Sequence, residues 1–479
     1  MVISMKKAKI AVVTLGHYIY FNQFEGLKDE LKLKSDEFRS YLDGDAQEVV
    51  DIGYIDCVDQ AFDAVRRLKK EDADMLFVIL STYVPSAVCA PFARYADIPQ
   101  VLVAIQPLAH LDYSHTTTYM QLVNDDVCAM PEIAGVYERM GRNAPPCIVA
   151  SSVQKEKIKK IVGEWVTAAN VMAGFKYETI GYLGHTYEGM YDMHTDPTAF
   201  TAAFGAHVKM IEMCELYKLS EEVTEEEIVT KTEKMQSTFE ICDPSVDPLT
   251  DYVRKEDLAY SARQSVALDK LVENNKLAAL AYYYKSEAGN PYEQLAANLI
   301  IGNTLLTSAG IPLAGEADLK TAAAMLIMKN VGGGGSFAEI HPFDVESDVV
   351  LIGHDGPHNI RIAEGKPRLR KLKKYHGKSG SGIGVEFSLK SGPITLLSIN
   401  VDRNGKFRMI AAEGESLAGD IPQTGNTNTR VKFDSPVCDF LSRWCEASPT
   451  HHLALGVGHH IEELRKFSRI SGIELIEVR

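Results

Sequence analysis

The sequence contains no run of 18 or more apolar residues, which excludes an apolar membrane-spanning helix. It is short of positive charge: 50 Lys and Arg stand against 65 Asp and Glu, a formal net charge of -15. Nucleic acid and anionic membrane surfaces both reward a basic face, so neither is an expected partner. No GxGxxG, and no GxxxxGK followed by Ser or Thr, comes after any strand-like run. Without such a turn the backbone cannot approach a pyrophosphate closely, which argues against a dinucleotide. The GGGG at 332–335 lacks the Lys-Ser/Thr of a phosphate cradle and reads as a flexible turn. The eight cysteines, at 57, 89, 128, 147, 214, 242, 438 and 445, include no CxxC pair. A compact zinc knot is thereby removed, and the thiols read as small packing residues. The start, MVISMKKAKIAVV, passes from Lys6 and Lys7 into a strand pattern with no small-residue cleavage site. A soluble, cytoplasmic protein is expected.

What is present is β-α alternation. AKIAVVTLG, EVVDIGYI, DMLFVIL and PQVLVAI are short apolar runs of the kind buried on both faces of a sheet. Helical patterns separate them, among them FNQFEGLKDELKLK and VDQAFDAVRRLKKE, and predict a doubly wound parallel sheet. A long helix over 152–173 leads into KYETIGYLG and a second α/β region, with helices near 222–238 and 251–274. LAALAYYY reads there as a buried strand, and YEQLAANLIIGNTLLTSAG as one buried helix ended by Gly310. After about residue 330 glycine becomes frequent and the apolar runs alternate, as in DVVLIGH, GVEFSLK and PITLLSINV. That texture predicts an antiparallel, barrel-like β domain. The expected division is 1–175 and 176–330, both α/β, then 331–479, β-rich; roughly 150 residues per domain suits the length.

Ligands of doubly wound sheets sit at the carboxyl ends of the strands. Those ends carry Gly16, His17, Tyr18 and Tyr20, then Ser81, Thr82 and Tyr83, then Gln106. Two readings stand: a site for a neutral polyol, or aromatic residues that merely close the top of the sheet. A second concentration lies in the last third, where Glu316, Glu339, His341, His354, Asp355 and His358 fall close together in sequence, followed by His451, His452, His459 and His460. Carboxylates and imidazoles from such distant segments suit a catalytic divalent cation, Mn²⁺, Mg²⁺ or Co²⁺. Blander readings compete. Glu316 opens a helix whose dipole stabilises a carboxylate unaided. His341, before Pro342, reads equally as a solvated loop residue, and His459 and His460 as residues opening an amphipathic helix.

In AGEADLKTAAAMLIMK, GGSFAEIHPFD, DVVLIGHDG and THHLALGV the chain resembles the L-arabinose isomerase and L-fucose isomerase superfamily, and most closely its arabinose branch. The resemblance covers about the last 170 residues well and the rest mainly in architecture. It implies that Glu316, Glu339, His354 and His452 bind Mn²⁺, and that Glu316 and Glu339 exchange the protons of an aldose–ketose isomerisation through a cis-enediol. It also implies a homo-oligomer, trimer or hexamer, with sites near subunit interfaces. The sugar-reading segments depart from the pattern. CAMPEIAGVYERMGR lacks the histidine of the HGGREFG segment, GHYIY places His17 near a usual glutamine, and GYLGHTYEGMYDMHTD introduces His185 and Tyr187. His17, Tyr20, Tyr83, His185 and Tyr187 are the candidate substrate contacts, and the sugar itself stays open: pentose, 6-deoxyhexose or a hexose modified at C6. Two alternatives remain, a non-catalytic cytosolic sugar-binding protein and a metal-dependent sugar epimerase on the same scaffold.

Overall fold

The first apolar runs form parallel strands, as their double-sided hydrophobicity requires. In the computed structural model, which describes residues 6–42, 44–373 and 382–479, these strands belong to one of two compact units, 6–173 and 174–479. The N-terminal unit holds β1 (Lys9–Leu15), β2 (Glu48–Ile55), β3 (Met75–Leu80), β4 (Gln100–Gln106) and β5 (Cys147–Ser151), all parallel in the order β2-β1-β3-β4-β5. All six residues of β3 are buried, whereas the edge strand β2 is largely exposed. The chain runs outward from β1 to β2 and returns to β3, so the carboxyl ends of β1 and β3 flank a topological switch point. Strand β5 escapes the sequence reading because an edge strand with alternating exposure makes no continuous apolar run.

The second unit begins with β6 (Thr179–Leu183) and β7 (His207–Ile211), followed by the two-residue strands β8 (Glu240–Ile241) and β9 (Thr250–Asp251). Then come β10 (Leu277–Tyr282) and β11 (Leu313–Ala314), and a parallel sheet ordered β11-β10-β6-β7 results. The single helix expected over YEQLAANLIIGNTLLTSAG is in fact two, Pro291–Ala297 and Ile300–Ala309, broken at Asn298 and Leu299. Its stop is as expected: Gly310 takes φ 99°, the left-handed cap that glycine adopts without steric cost.

The remaining strands are β12 (Ser336–Asp344), β13 (Val349–His354), β14 (Ala363–Leu372), β15 (Gly384–Leu389), β16 (Gly392–Val401), β17 (Phe407–Leu417), β18 (Thr427–Lys432), β19 (His452–Val457) and β20 (Glu474–Glu477). Seven of them order as β16-β19-β12-β13-β18-β17-β20, and β16 also pairs with β17. The sheet is mixed rather than purely antiparallel, because β20 joins β17 in parallel after a helix crossover, Ile461–Ser471. The helix Leu319–Asn330 packs against β10, β16 and β19, and every residue of it except Lys329 is buried. One hydrophobic core, which runs from Leu280 through Ile352 and Leu396 to Leu455, is shared by both sheets. Among the described residues no helix is long and apolar enough to cross a membrane.

Candidate metal centre

Strand register assembles most of this centre. In β12, Glu339 lies opposite His452 of β19 on one side and Gly353 of β13 on the other, with His354 next in line. Potential ligand atoms of Glu339, His354 and His452 lie within 4.8 Å of one another, and those of Glu316, His451 and His452 do likewise. Glu339 Oε1 stands 3.9 Å from His354 Nε2, and Glu316 Oε2 stands 3.8 Å from His452 Nε2. Both are too long for hydrogen bonds and leave room for an ion. Glu316 Oε2 and His452 Nε2 are buried yet lack hydrogen-bond partners, while His354 turns Nε2 toward Glu339 and Nδ1 toward Asp355 Oδ1, 3.2 Å away. Buried polar atoms without partners are costly, and a shared cation would satisfy them. A neutral imidazole and a carboxylate oxygen are the donors such an ion takes.

Glu316 arrives by a strained route. It and Ala317 have φ of 58° and 55°, a region that residues with a Cβ adopt at a cost of order 1–3 kcal/mol. Their carbonyls are held from the loop after β6: Tyr187 N–H donates to Glu316 O at 3.3 Å, and Thr186 Oγ1 to Ala317 O at 3.3 Å. The strain is therefore braced by the segment that carries His185 and Tyr187. His185 lies with its ring 4.1 Å from that of Tyr283, and Tyr187 faces Tyr284 at 6.2 Å. Gly184, φ 81°, makes the turn possible, since a Cβ there would meet Tyr283 Cβ at 2.9 Å.

Around the four expected ligands stand other members of the two histidine clusters and two residues, Asp192 and Asn428, that the sequence reading passed over. His341, read there with a solvated-loop alternative, is half-buried: Nε2 lies 3.1 Å from Glu339 Oε1 and Nδ1 lies 2.6 Å from Asn428 Oδ1. Burial pushes the Glu339 carboxyl up, but the His341 hydrogen bond and the nearby imidazoles of His354 and His452 outweigh it and hold it at about 2. Burial likewise pushes His341 down, and its bonds to Glu339 and Asn428 carry it above the ordinary imidazole value. His451 is clamped by Asp192, whose Oδ2 lies 2.9 Å from its backbone N–H and 2.7 Å from Nδ1. Its ring lies 3.9 Å from that of His452. Burial lowers the His452 imidazole and favours the neutral ring a ligand needs. His358 is buried against Ser336 and belongs to neither ligand grouping.

The other expected substrate contacts lie on the N-terminal unit. His17 packs edge-on to Tyr20 and Tyr83, with ring centroids at 4.9 and 6.4 Å, beside the β1–β3 switch point. Tyr83 donates its hydroxyl to Glu132 at 2.9 Å.

Two domain models match the chain: the L-arabinose isomerase central domain over residues 187–334 and its C-terminal domain over 334–474. An L-arabinose isomerase of Saccharophagus degradans is 24% identical over 338 residues, 69% of this chain and 66% of that one. One of Cellvibrio japonicus is 22% identical across 84% of this chain and 80% of its own length. A sulfoquinovose isomerase of Alkalicoccus urumqiensis is 22% identical across 67% of this chain and 69% of its own. The relatives are sugar isomerases, enzymes of the intramolecular oxidoreductase class. The chain belongs to the L-arabinose isomerase-like superfamily.

Proposed function

We propose that this chain is a metal-dependent aldose–ketose isomerase that acts on an open-chain sugar through a cis-enediol, with Glu316, Glu339, His354 and His452 as cation ligands. The observation that carries the reading is a pair of ligand groupings that share His452, Glu339 with His354 and Glu316 with His451, in which Glu316 Oε2 and His452 Nε2 are buried without hydrogen-bond partners. A cation bound there, Mn²⁺ or else Co²⁺ or Mg²⁺, supplies Lewis-acid polarisation of the C1 and C2 oxygens. One glutamate of the pair removes the C2 proton and the other returns a proton to C1. His341, at hydrogen-bond distance from Glu339 Oε1, is placed to hold or pass that proton. His185 and Tyr187 would contact sugar hydroxyls from the edge of the centre; His17, Tyr20 and Tyr83 form a separate aromatic group at the β1–β3 switch point of the N-terminal unit, the other candidate place for a polyol. The ring of pairings from β16 round to β17 supports reading the C-terminal strands as a small closed barrel. A homo-trimer or hexamer with sites near its interfaces follows the superfamily pattern.

The test is proton NMR on metal-stripped protein, with and without Mn²⁺, against pentoses, 6-deoxyhexoses and C6-modified hexoses. A ketose formed only with Mn²⁺ is expected. Glu339→Gln should lower turnover at least about 100-fold, the scale of one acid–base group, with unchanged circular dichroism. Near-normal turnover in that variant would remove the mechanism. An epimeric aldose in place of a ketose would make the protein an epimerase, and sugar binding without turnover would make it a sensor.

A further inference from the structure

Asp318 is fully buried at the N-terminus of the helix Leu319–Asn330, and its two carboxylate oxygens have separate employment. Oδ1 accepts the backbone N–H groups of Lys320 and Thr321, both at 3.1 Å, and so caps the helix. Oδ2 accepts the Thr321 hydroxyl at 2.7 Å and faces His452 Nδ1 at 3.1 Å. An ionised carboxylate can only accept, so Nδ1 must carry the hydrogen. The lone pair of the neutral ring is then on Nε2, the nitrogen that faces Glu316 and has no hydrogen-bond partner. The buried ammonium of Lys320, which donates to Met193 O at 2.7 Å, offsets the charge of Asp318 from the same helical turn.

We propose that Asp318 is a positioning residue that locks His452 in its Nδ1–H tautomer and thereby presents Nε2 as a metal donor. The inference rests on the metal reading above. It distinguishes two roles that share one side chain: Oδ1 serves the helix and Oδ2 serves the site. In Asp318→Asn the amide oxygen would keep the two backbone N–H groups, because only an acceptor fits there. The NH₂ would then face Nδ1, forcing the hydrogen onto Nε2 and blocking coordination. In Asp318→Ser the hydroxyl still caps the helix but no longer reaches the ring, so the tautomer is free rather than inverted.

The experiment is a Mn²⁺ titration, followed by the electron paramagnetic resonance of the free ion, on wild type, D318N, D318S, H452A and D318N/H452A, with thermal unfolding to confirm each fold. D318N should weaken Mn²⁺ binding by about 10–100-fold, the usual cost of losing the partner of a ligating histidine. D318S should weaken it less. In the H452A background D318N should change nothing further, because the ring it acts through is gone. Wild-type affinity in D318N, or an equal loss with and without His452, overturns the proposal while leaving the metal reading intact. A wild-type protein that binds no Mn²⁺ removes both.

Discussion

A Cβ on Gly353 would lie 1.9 Å from the carbonyl oxygen of Thr427 and 2.8 Å from Asn428 Cα. Both are backbone atoms of the neighbouring strand and cannot swing aside. Gly353→Ala should therefore part β13 from β18, cost about 1–3 kcal/mol in urea unfolding, and weaken Mn²⁺ binding through the adjoining His354. An unchanged unfolding midpoint would show that the pairing tolerates the methyl group. At this scale the sequence was half legible. Glu316, Glu339, His354 and His452 stand in recognisable segments, but the supporting residues Asp192 and Asn428 do not. Asp192 reaches His451 across 259 positions and Asn428 reaches His341 across 87, so no local pattern pairs them. The left-handed turn at Glu316 and Ala317 was equally hidden, because neither residue is glycine.

Helices and strands were more legible, since each advertises its buried face. In the helix Leu27–Arg39 the buried positions are Leu27, Leu31, Lys34, Ser35 and Phe38, a helical stripe that includes a lysine. Lys34 is buried to meet Asp126 and the Ser81 carbonyl, 2.7 Å away, so it ties the helix to the end of β3. Burial disfavours the charge on both partners, lowering the lysine and raising Asp126 to about 7, while their contact opposes both shifts. Asp126→Ala should cost about 3–5 kcal/mol by stranding a buried ammonium, and Lys34→Met with Asp126→Leu should recover most of it. Chemical denaturation of the three proteins checks this, and equal stability of the two variants would mean the pair is not buried as described. The split after Ala297 was missed because an apolar sequence pattern runs through Asn298, where the chain needs a turn rather than a face.

On the scale of the whole chain the acid excess has a consequence for stability. Asp247 accepts from Arg370 Nε at 2.6 Å and Asp257 from Lys371 Nζ at 2.7 Å, both across more than 100 residues to β14. Burial raises each carboxyl, but these bonds outweigh it and hold both below the ordinary aspartate value. A carboxyl depressed in the folded state stabilises fully above its unfolded pKa, about 3.9, and loses that contribution as pH falls through the folded value. Thermal midpoints should therefore drop steeply below about pH 4, and Asp247→Asn should flatten that limb. An identical acid profile in the variant would exclude the pair as its source. The α/β alternation and the change to β structure near residue 330 were visible in composition. The core common to both sheets was not, because it joins residues as far apart in sequence as Leu280 and Leu455.

The pairing of Glu339 with His452 across β12 and β19 also sets a clock. Those residues are 113 positions apart, a contact that forms only after long loops have closed. A chain still emerging or half collapsed holds its glutamates and imidazoles far from one another and offers a passing ion no cage. On the proposed metal reading, selection of the cation would be deferred until the backbone is committed, and an unfinished chain would be spared tight capture of whichever metal is commonest around it.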